Sequence, residues 1–110
     1  MEIGEKIILI IWLHFISDFV LQTDYVAINK SKMANVLISH CIIYSALFII
    51  TGWYYAFING LLHLLVDFVS SKLTASFWEN NKRHWFFVTI GADQALHLTC
   101  LILTLNYLTR

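Results

Sequence analysis

His63 and Asp67 stand four residues apart in YYAFINGLLHLLVDFVSSKL, a run that is otherwise mostly apolar. At that spacing an imidazole and a carboxylate share one helix face, about 6 Å apart along the axis. The pair recurs as His14 and Asp18 near the N-terminus and, in reversed order, as Asp93 and His97 near the C-terminus. His40 lies in the remaining apolar run. Neutral imidazole and carboxylate suit zinc, manganese or iron. The same groups can act as general acids and bases, or relay protons.

The segments that must carry these residues read as membrane-spanning. Four apolar stretches, roughly 4–22, 34–52, 54–73 and 84–107, each approach the ~20 residues a helix needs to cross a bilayer core. The 110 residues make room for one domain, 1–110, at 59% hydrophobic and 13% charged, with a mean hydropathy of +0.71. A soluble domain carries about 25% charged residues, so this chain could not cover its surface with polar groups. An integral membrane protein is expected: all-α, a four-helix transmembrane bundle with antiparallel neighbours, bounded by the lipid bilayer. The absence of proline fits uninterrupted helices. MEIGEK carries acids as well as a lysine and no small-residue cleavage site follows, so the first run reads as a retained span rather than a signal peptide. A formal net charge of zero without a basic patch gives no sign of nucleic acid as a partner. Cys41 and Cys100, without CxxC spacing, read as small buried apolar residues.

The loops at 23–32 and 70–85 hold Lys30, Lys32, Lys72, Lys82 and Arg83, whereas Gly52-Trp53-Tyr54-Tyr55 has no basic residue. The positive-inside rule therefore places both basic loops in the cytoplasm and both termini outside, with Lys6 and Arg110 as the minority. Depth follows from direction. Helices one and three run inward and read His then Asp, whereas helix four runs outward and reads Asp then His. Asp18, Asp67, Asp93 and His40 are thus expected near one level, with His14, His63 and His97 about one turn closer to mid-membrane. Gln22, Asn59, Thr89 and Tyr44 extend the polar faces at four-residue spacing. Spans one and three also resemble one another, LHFISDFV at 13–20 against LHLLVDFV at 62–69, which suggests a duplicated helical hairpin. The segment SKLTASFWENNKRHW mixes apolar and basic residues and is compatible with a short interfacial helix. Trp53, Tyr54, Tyr55, Trp78, Trp85 and His84 read as residues of the membrane borders.

An Asp at a helix centre costs roughly 2.5–3.5 kcal/mol on insertion scales, so three need compensation. Seven residues, His14, Asp18, His40, His63, Asp67, Asp93 and His97, could ligate one or two divalent transition metal ions. A carboxylate among Asp18, Asp67 and Asp93 not fully engaged by metal would serve as general base. Two rival readings use the same faces. One is a proton or metal-ion transporter or channel component, which four thin helices would build as a homo-oligomer. The other is a scaffold whose His–Asp hydrogen bonds hold the helices in register.

HFISDFVLQTD at 14–24, Lys30, His40, HLLVD at 63–67 and DQALH at 93–97 together resemble a small bacterial membrane family catalogued as a domain of unknown function. That family is more distantly similar to inner-membrane proteins described as membrane-bound metal-dependent hydrolases. The resemblance implies a hydrolase of the bacterial cytoplasmic membrane. It also implies that His14, Asp18, Gln22, Asp24, Lys30, His40, His63, Asp67, Asp93, Gln94 and His97 form its signature. Gln22, Asp24, Lys30, Asn59 and Gln94 are then expected to support the ligands or contact substrate, and a site in the cytoplasmic half of the bilayer points to a lipid or lipid-linked substrate.

Overall fold

The structure, a computed structural model, describes residues 2–108, so Arg110 and its place in the charge balance lie outside the described residues. All regular structure among the described residues is helical. The chain runs through α1 (Ile3–Phe15), a π-helical turn (Ile16–Val20), α2 (Asp24–Asn29), α3 (Ala34–Leu47) with a 3-10 extension (Phe48–Thr51), α4 (Trp53–Glu79), α5 (Arg83–Leu103) and a 3-10 turn (Leu105–Tyr107). Ala34–Thr51, Trp53–Glu79 and Arg83–Leu103 are long and apolar enough to cross a membrane, which fits an integral membrane protein. At 27 residues α4 is about 40 Å long, exceeding a ~30 Å hydrocarbon core.

The exterior is apolar and the interior is not. Ile8, Trp12, Ile42, Phe57, Leu65, Phe68 and Leu96 are exposed, while His14, Asp18, His40, His63, Asp67 and His97 are buried. A soluble domain has the opposite distribution. The interior is divided along its length. Ile10, Leu13, Tyr44, Phe48, Tyr55, Ala56, Leu101 and Leu108 form an apolar core from the second half of α1, the end of α3 and its 3-10 extension, the start of α4, the end of α5 and the residue after the last 3-10 turn. The His and Asp residues fill the other half.

Small residues and special backbone set the helix pairing. Gly52, at φ 120°, turns α3 into α4, a conformation glycine adopts without strain. A Cβ on Gly60 would lie 2.8 Å from the Ser45 Cβ, so α3 and α4 approach through small residues. The Ser45 hydroxyl also donates to the Ala56 carbonyl at 2.7 Å. Asn81, at φ 58°, turns α4 into α5. Arg83 closes that turn by donating to the Trp78 carbonyl at 2.6 Å and lying 3.6 Å over its ring.

Three expectations are corrected. The first apolar stretch is not one straight helix: α1 ends after 13 residues and the backbone opens into a π turn. Ser17 marks the place, its hydroxyl returning to the Leu13 and His14 carbonyls at 2.8 and 3.2 Å, a habit that bends helices. LHFISDFV and LHLLVDFV therefore differ in backbone despite their likeness, since 62–69 is regular α-helix. Nor does the 70–85 segment form a separate interfacial helix, because α4 continues to Glu79 and α5 begins at Arg83. The short helix is instead α2, where Thr23 accepts the Val26 N–H at 3.3 Å as N-cap.

Candidate metal centre

Asp18 sits in the π turn, His40 near mid-α3, His63 and Asp67 on successive turns of α4, and Asp93 and His97 on successive turns of α5. π turns occur often at functional sites because the extra residue re-aims a side chain. Here it presents Asp18 to α3 and α4. The Asp18 Oδ1 lies 3.0 Å from the His40 Nε2 and 3.4 Å from the His63 Nε2. The Asp67 Oδ2 lies 3.4 Å from the same atom of His40 and 3.2 Å from that of His63. The two Nε2 atoms are themselves 3.2 Å apart. Four ligand atoms from three segments thus converge on one point.

The convergence tests whether the donors suit a metal. A tetrahedral ion with bonds of 2.0–2.1 Å sets its ligands about 3.3–3.4 Å apart. Five donor–donor separations here span 3.0–3.4 Å. The nitrogen and oxygen donors, without thiolate, suit zinc, manganese or iron. Asp18, Asp93 and His97 form a second group, so Asp18 belongs to both, with all ligand atoms within 4.8 Å in each. The His97 Nε2 lies 3.1 Å from the Asp67 Oδ1 and 3.1 Å from the Asp93 Oδ1. These buried groups can hold a metal ion.

Each Nε2 can carry one proton or one lone pair. With protons on both, His40 donates to the Asp18 Oδ1 at 3.0 Å and His63 lies 3.2 Å from the Asp67 Oδ2, so the four groups pair with one another as well as offering four donors to a cation.

Surrounding groups fix the ring orientations. His63 stacks between Tyr44 and His97, at centroid distances of 3.9 and 4.0 Å. Its Nδ1 has no hydrogen-bond partner among the described residues, so stacking holds this ring where a second-nitrogen contact usually does. Gln94 donates to the Asp18 Oδ2 at 3.3 Å and the Asp93 Oδ2 at 3.0 Å. Its amide oxygen lies 2.6 Å from the His14 Nε2, and the His14 Nδ1 lies 2.9 Å from the Tyr44 hydroxyl. The network assigns His14 the Nε2–H form, accepting from Tyr44 and donating to Gln94. Ser70 donates to the Asp93 Oδ1. The Lys30 ammonium reaches across from the end of α2 to the Asp67 Oδ2 at 3.1 Å, the pairing a buried carboxylate requires.

The rings of His14, His63 and His97 cluster, Asp18 and Asp67 meet His40, and Asp93 lies against His97. Six of the seven expected ligands fall in the two metal-competent groups; His14 does not, because both its ring nitrogens are engaged elsewhere. Lys30 and Gln94 join the site. Asp24 does not: Thr23 starts a new helix, and Asp24 stands exposed in its first turn. Asn59 is buried but ties α4 to the end of α5, donating to the Tyr55 carbonyl and the Thr104 hydroxyl. Thr89 returns its hydroxyl to the Trp85 carbonyl of its own helix. Ser70 and Ser71 were missed. Ser71 continues the series Asn59, His63, Asp67 at four-residue intervals, a signal available in the sequence.

Beside the centre lies a cavity of ≈ 230 Å³. Asp18, Gln22, Lys30, Ser70, Ser71, Thr74, Asp93 and Gln94 line its polar side, and Phe19, Ala27, Phe86 and Ile90 its apolar side.

An all-helical chain with membrane-length apolar helices around buried carboxylates and imidazoles defines the class of protein. The chain belongs to the family described as Protein of unknown function (DUF3307), whose profile matches residues 7–110. No curated protein and no solved structure matches it.

Proposed function

We propose that the chain is a four-helix transmembrane bundle, α1 and its π turn supplying the first span, that works as a metal-dependent hydrolase on a lipid or lipid-linked substrate. Asp18, His40, His63 and Asp67 would hold one divalent ion, and Asp18, Asp93 and His97 a second. Zinc, manganese or iron fits the donors. Such an ion supplies an activated water at neutral pH and polarises the bond to be broken. The convergence of two imidazole nitrogens and two carboxylate oxygens on one point, at separations that match a tetrahedral ion's ligands, carries the reading.

The chain's own residues perform the rest. Asp93 borders the cavity, where its carboxylate is placed to take a proton from water as general base. Ser70 and Gln94 hold that carboxylate in position. Lys30 holds Asp67 and meets the cavity from the basic, cytoplasmic end. Hydrolysis is favoured over transport by the other half: beyond the His residues Phe48, Tyr55, Leu101 and Leu108 pack the interior, and the polar side chains there, Asn59 and Thr104, are engaged with each other.

Elemental analysis of protein purified in detergent from metal-replete cells tests the centre. One to two transition metal ions per chain are expected, falling to background in Asp18→Asn, which removes the carboxylate that both groups share. Background metal in the wild type sinks the reading.

A further inference from the structure

The cavity beside the centre has a chemistry that the metal ligands do not explain. Ser71 is 7% exposed, lines the cavity, and its Oγ has no hydrogen-bond partner among the described residues. The Gln22 Oε1, from another residue lining the cavity, is likewise buried and without a partner among the described residues. Buried polar atoms are almost always hydrogen-bonded, and exceptions call for an explanation such as a bound partner. Lys30 adds an ammonium on the same cavity wall.

Charge narrows what that partner is. Asp18, Asp67 and Asp93 bring three negative charges; two divalent ions and Lys30 bring five positive ones, leaving two to be matched. A phosphate monoester carries about −1.5 to −2 at pH 7 and offers three acceptor oxygens, suited to a lysine ammonium and a serine hydroxyl. Shape narrows its source. A cavity of ≈ 230 Å³ is below the 300–1,000 Å³ of sites that enclose whole small molecules, so it admits a head group and leaves the remainder outside. Its apolar side includes Phe19, which is 46% exposed on the outer surface of the bundle. A route from the cavity to lipid therefore runs past Phe19, Phe86 and Ile90, between the π turn and α5.

We propose that this cavity binds the phosphate group of a phosphorylated membrane amphiphile, with Lys30 and Ser71 as phosphate contacts and the acyl chains lying past Phe19 and Phe86. The proposal rests on the metal-centre reading and names its substrate class. It is tested with full-length, manganese-loaded protein in detergent, its metal counted before titration with short-chain phosphatidate, short-chain diacylglycerol and inorganic phosphate. Phosphatidate is expected to bind at least tenfold more tightly than either of the others. Lys30→Met and Ser71→Ala should each weaken it about tenfold with metal content unchanged. If Lys30→Met loses metal, Ser71→Ala decides. Wild-type protein without metal overturns both this proposal and the hydrolase reading. Metal-loaded protein that binds diacylglycerol as tightly as phosphatidate, or is indifferent to Ser71→Ala, overturns this proposal alone. Equal binding of inorganic phosphate and phosphatidate overturns the lipid source.

Discussion

The two halves of the bundle interior obey different rules. In one, Phe48, Tyr55, Ile10 and Leu101 pack with almost no exposure. In the other, equally buried side chains are His40, His63, Asp67 and His97. Within a bilayer apolar burial gives little net driving force, since lipid is as apolar as leucine, and shape complementarity holds helices together. The apolar half can therefore supply stability by fit, and the polar half can spend it on function. A centre with three carboxylates is tolerable because the other half does not depend on it.

Several measurements would break or sharpen this contrast. The largest effect is expected in the apolar half: Phe48→Ala should lose about 3–5 kcal/mol of stability, read as a lowered unfolding midpoint in detergent, with metal content kept in the folded fraction. Next comes metal removal. At a hundredfold excess over Kd a bound ion stabilises by about 2.7 kcal/mol, so a chelator should lower the wild-type melting temperature and leave Asp18→Asn, which lacks the shared carboxylate, unmoved. Equal chelator sensitivity in the two proteins would show that the ion sits elsewhere. Without metal, Asp67→Asn should melt lower than the wild type, because it leaves the Lys30 ammonium without its carboxylate. Gly60→Ala should cost about 1–3 kcal/mol by forcing α3 away from α4 at Ser45. Smallest, Ser71→Ala should stabilise the unliganded protein by about 1 kcal/mol, since it removes a buried hydroxyl without a partner.

How far these features can be read from the sequence varies by residue. The meeting of the three His–Asp pairs was legible, because four-residue spacing puts each pair on one helix face. Ser71 was equally accessible to periodicity but was missed: a helical serine commonly bonds its own backbone, so nothing in its type marks it. The π turn was not legible. Ile16–Val20 contains no glycine or proline, and only the tertiary demand that Asp18 meet His40 and His63 explains the extra residue. Asp24 was expected at the site through the family resemblance alone; the chain turns at Thr23 and carries Asp24 into α2 instead. His14 was read as a ligand from spacing alone. Its commitment to Tyr44 and Gln94 depends on residues 30 and 80 positions away.

The π turn also fixes how this chain can change length. It contains one residue more than an α-helical path needs, so loss of any residue from Ile16 to Val20 could be absorbed by ordinary helix without breaking the backbone ladder. Side chains beyond the deletion would keep their direction, but Asp18, which the extra residue re-aims, would lose its place beside His40 and His63. Substitutions at Ile16 or Val20, which face outward, should therefore be tolerated where a deletion of the same residue silences the site, a difference that a combined substitution and deletion scan of this segment would register.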